Sequence, residues 1–361
     1  MREIADVRVL QPVAFMPVVK PLPPWARRSE HEAYGLRIEP QPMLYVPGVL
    51  KSLDALWLAR SIRRVIARHI QTRRVDAIDA HFGYPDGVGC VRVARSLRLP
   101  AFVTIRGSET DFLRTPGIGA QLVAALNAAT GCISVSHSLR ELAISYGVEG
   151  ERVRVIPNAV DRRIFAPGSR ELARRSLGLD GAQKIIVSVG HLISGKRHHV
   201  VVQALSRVRE HFPNAVLAII GGAAYDREYP AYLERVVREQ GLGNHVRMIG
   251  RVPQATVSSW LRAADVFALA TEREGCCNAV LEALAAGLPV ITTPVGDNAH
   301  FVRPGVNGAL VPVDDVSGFA GALTRALGRE WDAQEISRAL DVGNWDDVAR
   351  RVIDFIDERT S

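Results

Sequence analysis

No apolar run in the sequence approaches the ~20 residues that a membrane-spanning helix needs. The first residues, Met1-Arg2-Glu3-Ile4-Ala5-Asp6, contain no apolar signal core, so the expected location is the cytoplasm. Cysteine is scarce. Cys90, Cys132, Cys276 and Cys277 form no C-x-x-C pair and no metal-ligand spacing, so reduced structural thiols and no metal are expected. Aromatic residues make up only 6%, and no RRM, zinc-finger or helix-turn-helix pattern accompanies the basic residues. A nucleic-acid partner is therefore not expected. Glycine is missing from the start, with none before Gly35.

The composition that is present belongs to a globular protein. Apolar residues are 47% and charged residues 23%, which excludes a disordered tail protein or a disulfide miniprotein. A length of 361 residues fits two domains. Charge divides them unevenly. Residues 1–165 carry 23 Lys+Arg against 15 Asp+Glu, whereas residues 166–361 carry 22 against 23. A basic first half suits an anionic partner, such as phosphate or an anionic membrane surface, or is simply a solvated face.

Short apolar runs alternate with helical periodicity, the pattern of parallel sheets built from βαβ units. In the second half, strands are expected at 184–190, 215–221, 245–249, 265–270 and 288–292. Helices are expected at 198–212, 229–241, 254–263 and 278–286, the last stopped by Gly287 and Pro289. The first half reads as helix 52–72, strand 75–80, helix 87–97, strand 101–105, helix 119–128 and strand 131–135. Residues 156–161 read as a linker, and Trp345–Glu358 as an amphipathic helix packing back on the first domain. The expected division is 1–160, 161–343 and the terminal segment 344–361. A doubly wound domain normally opens with a strand and a glycine-rich turn. Here Val7–Leu10 leads into the proline-rich residues 12–24. Either the first βα unit is missing, or the true start lies upstream.

Two constellations carry chemistry. Glu274-Gly275-Cys276-Cys277-Asn278-Ala279-Val280-Leu281-Glu282 follows an expected buried strand, at the sheet edge where open α/β folds bind ligands. Its loop and helix start offer free N–H groups to an anion. Glu282, one turn into the helix, can chelate a vicinal diol such as a ribose, and Glu274 can hydrogen-bond sugar hydroxyls. Two solvated glutamates favoured by the helix dipole are the plainer alternative. The second constellation is Gly190-His191-Leu192-Ile193-Ser194-Gly195-Lys196, after the first strand of that domain. Lys196 would sit at the same edge, where a cation suits a departing diphosphate.

Glu274–Glu282, with Ala283-Leu-Ala-Ala-Gly-Leu-Pro-Val290, resembles the E-x7-E signature of the family 4 glycosyltransferases. The resemblance continues through Val295-Gly296, Gly305–Gly308, Asn344-Trp345, Ile156–Asp161, Val135-Ser136 and His81–Gly87, spanning about residues 75–358. It implies a GT-B fold, two Rossmann-like doubly wound domains facing a cleft, here expected without the first βα unit. It also implies a retaining, metal-independent transfer from a nucleotide-sugar to a glycan or lipid-linked acceptor in extracellular polysaccharide or cell-envelope assembly. No cofactor is expected beyond the donor substrate.

Carried over by position, Lys196 would bind the donor diphosphate, Glu274 the transferred sugar and Glu282 the ribose. Gly275, Cys276, Cys277 and Asn278 would line the loop, and His191 would stand beside the diphosphate. Gly250-Arg251-Val252 would lie near the base. Arg106, in Thr104–Glu109, would face the reacting sugar, and His81 and Asp86 the acceptor. The chain departs from the family in having His191 for an arginine, Arg106 for a histidine and Cys277 for a proline. Gly296-Asp297 and His300 replace its usual Gly-Gly and acidic residue.

In the mechanism this resemblance implies, the leaving diphosphate accepts the acceptor's proton on the same face of the sugar. The protein then supplies positioning and charge. The basic segment Lys51–Arg74 holds Lys51, Arg60, Arg63, Arg64, Arg68, Arg73 and Arg74 against Asp54, with Leu53, Leu56, Trp57 and Ile66 as an apolar side. It could rest on anionic lipid at the inner face of the membrane. A sugar-nucleotide epimerase or hydrolase of the same fold, or a catalytically silent partner subunit, remains the alternative.

Overall fold

A computed structural model describes residues 5–16, 20–27, 30–33, 35–46 and 50–361. Met1–Ile4 of the signal reading and residues 17–19 of the proline-rich stretch lie outside them. The chain forms two compact units, Met1–Pro157 with Asp346–Ser361, and Asn158–Trp345. No described helix is long and apolar enough to cross a membrane.

The first unit carries two sheets. β1 (Arg8–Phe15), β2 (His31–Ala33) and β3 (Leu36–Leu44) form one, in the order β1-β3-β2. β4 (Ile78–His81), β5 (Ala101–Ile105), β6 (Gly131–Ser134) and β7 (Val153–Val155) form a parallel four-stranded sheet in chain order. Among the described residues, β1 and β4 each pair on one side only.

The proline-rich start is thus more ordered than its composition suggests. Pro12 continues β1, which is an edge strand and tolerates a missing donor. Pro40 and Pro42 sit in β3, yet β2 ends opposite Ile38. On strand parity, the two absent N–H groups fall on the edge that β2 no longer covers.

Helix Asp54–Thr72 packs its buried face, Ala55, Leu58, Ala59, Ile62 and Ile66, under that sheet against Met43 and Val93. This corrects the expected apolar side of the basic segment. Ile66 is buried and Trp57 packs on the same core, because a helix at this amphipathic spacing finds its apolar partner within its own domain. The solvated face is left to Arg60, Arg64 and Arg68. The chain terminus returns to this unit. Helix Trp345–Thr360 seats Phe355 on Phe102 at a 5.7 Å ring separation, and Arg154 bonds Glu358 at 2.7 Å. Gly131 permits the approach, since a Cβ there would stand 2.7 Å from the Phe355 ring.

The second unit is one parallel sheet of six strands: β8 (Ile185–Val189), β9 (Val216–Ile220), β10 (Val246–Gly250), β11 (Val266–Leu269), β12 (Val290–Thr292) and β13 (Gly308–Leu310). Their order is β10-β9-β8-β11-β12-β13. Side chains alternate between two cores, as strands buried on both faces require. Ile185, Val187, Val216, Ala218, Phe267 and Leu269 point one way; Ile186, Leu217, Ile219, Val266 and Ala268 point the other. The winding reverses between β8 and β11, and at such a switch point the loops diverge and leave a crevice.

Candidate functional site

Lys196 and Glu274 meet at this switch point. The turn after β8 brings Lys196 round, and the loop after β11 brings Glu274; their Nζ and Oε1 atoms are 2.5 Å apart. The two loops are stapled by backbone, with the Gly195 carbonyl accepting from Glu272 N–H at 3.0 Å and from the Thr271 hydroxyl at 3.2 Å. Burial opposes the lysine charge. The Glu274 carboxylate outweighs it and holds the ammonium above its ordinary range. Side-chain exposure is 20% for Lys196 and 10% for Glu274, so this pair is shielded from bulk solvent.

Helix Asn278–Ala285 begins immediately after the loop, and its flanking Cys277 side chain provides no cap. The Val280 N–H donates to the Cys277 carbonyl at 3.1 Å, which leaves those of Asn278 and Ala279 for a ligand. Gly296 closes the loop's far side at φ 59°, where a Cβ would stand 2.6 Å from the Glu274 carbonyl. Asp297 N–H bonds the Gly275 carbonyl at 3.2 Å, and Asn158 donates to Asn278 Oδ1 at 2.8 Å. One turn along, burial raises the Glu282 carboxyl from 4.5 to about 7. Burial also pushes the Cys277 thiol far up, so it is a packing group rather than a nucleophile. His191 is exposed at the end of β8, Cys276 is half-buried, and Val252 is half-buried beyond β10.

His81, Asp86 and Arg106 lie in the other unit, at the carboxyl ends of β4 and β5. The Arg106 guanidinium reaches His81 Nδ1 from Nε at 3.1 Å and Nη2 at 3.0 Å. A guanidinium can only donate, so Nδ1 must accept and a neutral imidazole carries its proton on Nε2. That atom faces Asp79 Oδ2 at 3.4 Å. Burial raises the nearby Asp86 carboxyl to about 6, partly offset by a backbone hydrogen bond.

Several participants escape a reading of motifs. Glu109 is fully buried and accepts from the N–H groups of Gly83 (2.6 Å), Arg106 (3.0 Å) and Gly107 (2.8 Å). It ties the loops that carry His81, Asp86 and Arg106 to one another. Asp79 could have been found, since it lies two residues from His81 and so on the same strand face. In the second unit Arg197, at φ 52°, pairs with Glu272 and lies 3.5 Å from Asp314, itself at φ 61°. Two side chains in the left-handed region thus brace the loops beside Lys196.

A lysine paired with a carboxylate at the switch point of a parallel sheet, followed by an uncapped helix start and a second carboxylate one turn along it, suits a phosphorylated and hydroxyl-rich ligand. Comparison with known proteins gives the class. Residues 169–340 match the family Glycosyl transferases group 1, and residues 18–163 match Glycosyltransferase Family 4. The chain belongs to this glycosyltransferase family and has its α/β GT-B-type fold.

Among its relatives, D-inositol 3-phosphate glycosyltransferase of Kribbella flavida is 32% identical over 188 residues, covering 51% of this chain and 44% of that protein. The protein of the same name from Xylanimonas cellulosilytica is 31% identical over 251 residues, covering 66% and 59%. The chain spans about half the length of the curated relatives it matches. Sucrose-phosphate synthase from Thermosynechococcus elongatus aligns with a TM-score of 0.73 at 21% identity, covering 92% of this chain and 85% of that one. Anabaena HepE, in complex with UDP and glucose, aligns at 0.74 and 18% identity, covering 90% and 86%.

Proposed function

We propose that the protein is a retaining glycosyltransferase that moves a sugar from a nucleotide-sugar to a glycan or lipid-linked acceptor. The supporting observation is the shielded Lys196–Glu274 pair, followed in the chain by a helix that carries Glu282 one turn from its start. In the free protein Glu274 neutralises Lys196. A donor diphosphate would take over that lysine and release the Glu274 carboxylate to the sugar hydroxyls. The uncapped N–H groups would add to the countercharge as the diphosphate departs, and electrostatic preorganisation of this kind is worth several kcal/mol. Glu282 would hold the ribose diol. That HepE was crystallised with UDP and glucose supports a uridine donor here.

Arg106 is read as a second cation for the reacting sugar, and His81 and Asp86 as acceptor contacts. Arg106 donates to His81 and cannot itself serve as a base, so the acceptor proton passes to the leaving diphosphate. The solvated arginines of helix Asp54–Thr72 favour work beside anionic lipid, at the cytoplasmic face of an envelope membrane, on polysaccharide or cell-envelope precursors.

The test incubates the protein with labelled nucleotide-sugars and membrane extract and follows product configuration by NMR. Transfer with retention is expected, reduced about 10²-fold or more by Lys196→Ala. Activity of that variant within twofold of wild type refutes the lysine's role. Sugar release that ignores the extract favours a hydrolase, and interconversion of the donor favours an epimerase. Sedimentation with liposomes that is indifferent to anionic lipid content refutes the surface assignment.

A further inference from the structure

We propose that Tyr225 is a nucleotide-binding residue whose ring lies against the base of the bound donor. The proposal rests on the donor-site reading above and extends it to a residue outside the two constellations. Tyr225 lies on the segment that follows β9, and the sheet order puts that segment between the loop after β8, with Lys196, and the loop after β10, with Arg251 and Val252.

Both flanks of Tyr225 are fixed. Leu192 bridges to Ala223 and donates to the Gly222 carbonyl at 3.0 Å, while Ser194 N–H donates to Asp226 Oδ2 at 2.9 Å. On the opposite side, a Cβ at Gly222 would lie 3.6 Å from Arg251 Cβ. The backbone is therefore anchored to the lysine turn two residues before Lys196, and it abuts the β10 loop.

The side chain is not anchored. Tyr225 is 82% exposed and its hydroxyl bonds no described residue. Neither fold stability nor core packing explains a large aromatic held out from such a clamped segment. A flat π-face on a segment hydrogen-bonded to the turn that carries Lys196 suits a nucleobase, which stacks on aromatic rings irrespective of its identity.

UDP, ADP and GDP are titrated calorimetrically into the full chain and into Tyr225→Ala, Tyr225→Phe and Lys196→Ala. With the nucleotide that the wild type binds best, Tyr225→Ala should raise Kd about 5- to 150-fold. Tyr225→Phe should stay within twofold, and both variants should keep the wild-type melting temperature because the position is exposed. A Tyr225→Ala affinity within twofold of wild type overturns the proposal. So does a Phe variant as weak as the Ala variant, which would assign the effect to the hydroxyl. If Lys196→Ala binds normally while Tyr225→Ala does not, the lysine assignment falls and the tyrosine stands. A wild type that binds none of the three overturns the donor reading and this proposal with it.

Discussion

Replacing Glu282 by Gln should weaken donor binding and stabilise the fold, and both effects should grow with pH. Burial raises this carboxyl from 4.5 to about 7, with no charged partner to offset it. If the ionised form accepts the ribose hydroxyls, the competent fraction is roughly a tenth at pH 6 and nine-tenths at pH 8. Donor affinity should therefore rise about tenfold across that interval, one pH unit of linkage being about 1.4 kcal/mol.

For stability the sign is opposite. The folded-state value lies above the unfolded one, so the folded chain binds the proton more tightly. Stability contributed by this group is complete below about 4.5 and is lost as pH rises through about 7. The full difference is on the order of 3 kcal/mol as an upper figure. Glu282→Gln removes the buried charge and should melt higher than wild type at pH 8, with little difference near pH 4.5. Titration of a UDP-sugar from pH 6 to 8 and thermal melts of both proteins read the two effects together. A wild-type affinity that is flat with pH, or a Gln variant that melts lower at pH 8, refutes the reasoning.

Glu109→Ala leaves the buried Gly83 N–H and the half-buried Arg106 and Gly107 N–H groups without this acceptor and should cost about 1–3 kcal/mol in urea unfolding; a loss below ~0.5 kcal/mol contradicts its structural role. Nitrogen NMR should find the neutral His81 ring protonated at Nε2 in the wild type and as a tautomer mixture in Arg106→Ala, whereas an unchanged spectrum would deny the guanidinium contact. Phe355→Ala should destabilise the first unit by about 3–5 kcal/mol, since it vacates the packing on Phe102. Gly131→Ala should destabilise it through a clash with the same ring, and a wild-type urea midpoint for either variant argues against the docked C-terminal helix.

The strands of the second unit were legible because parallel strands buried on both faces leave runs such as Ile185–Val189 and Val216–Ile220, and these survive any detail of packing. The first unit was harder. Pro40 and Pro42 mask β3, since proline ordinarily argues against a strand unless the uncovered edge is known. Trp57 and Ile66 looked like a free apolar side because their partners, Met43 and the end of β1, come from the segment that composition alone leaves unread.

At the site, residue types and loop positions were visible, but contacts were not. The Lys196–Glu274 pair joins residues 78 apart and depends on β8 and β11 being neighbours, which only the sheet order decides. Glu109 was hidden for another reason. A fully buried carboxylate is rare, and nothing local distinguishes one that collects three backbone N–H groups from a solvated one.

Calorimetric titration of a nucleotide-sugar panel into the wild type and Lys196→Ala, at pH 8, addresses the donor site most directly. Saturable binding of at least one nucleotide-sugar is predicted, weakened tenfold or more when the lysine is removed. No binding by the wild type, or equal affinity in the two proteins, would contradict a diphosphate site at the Lys196–Glu274 pair.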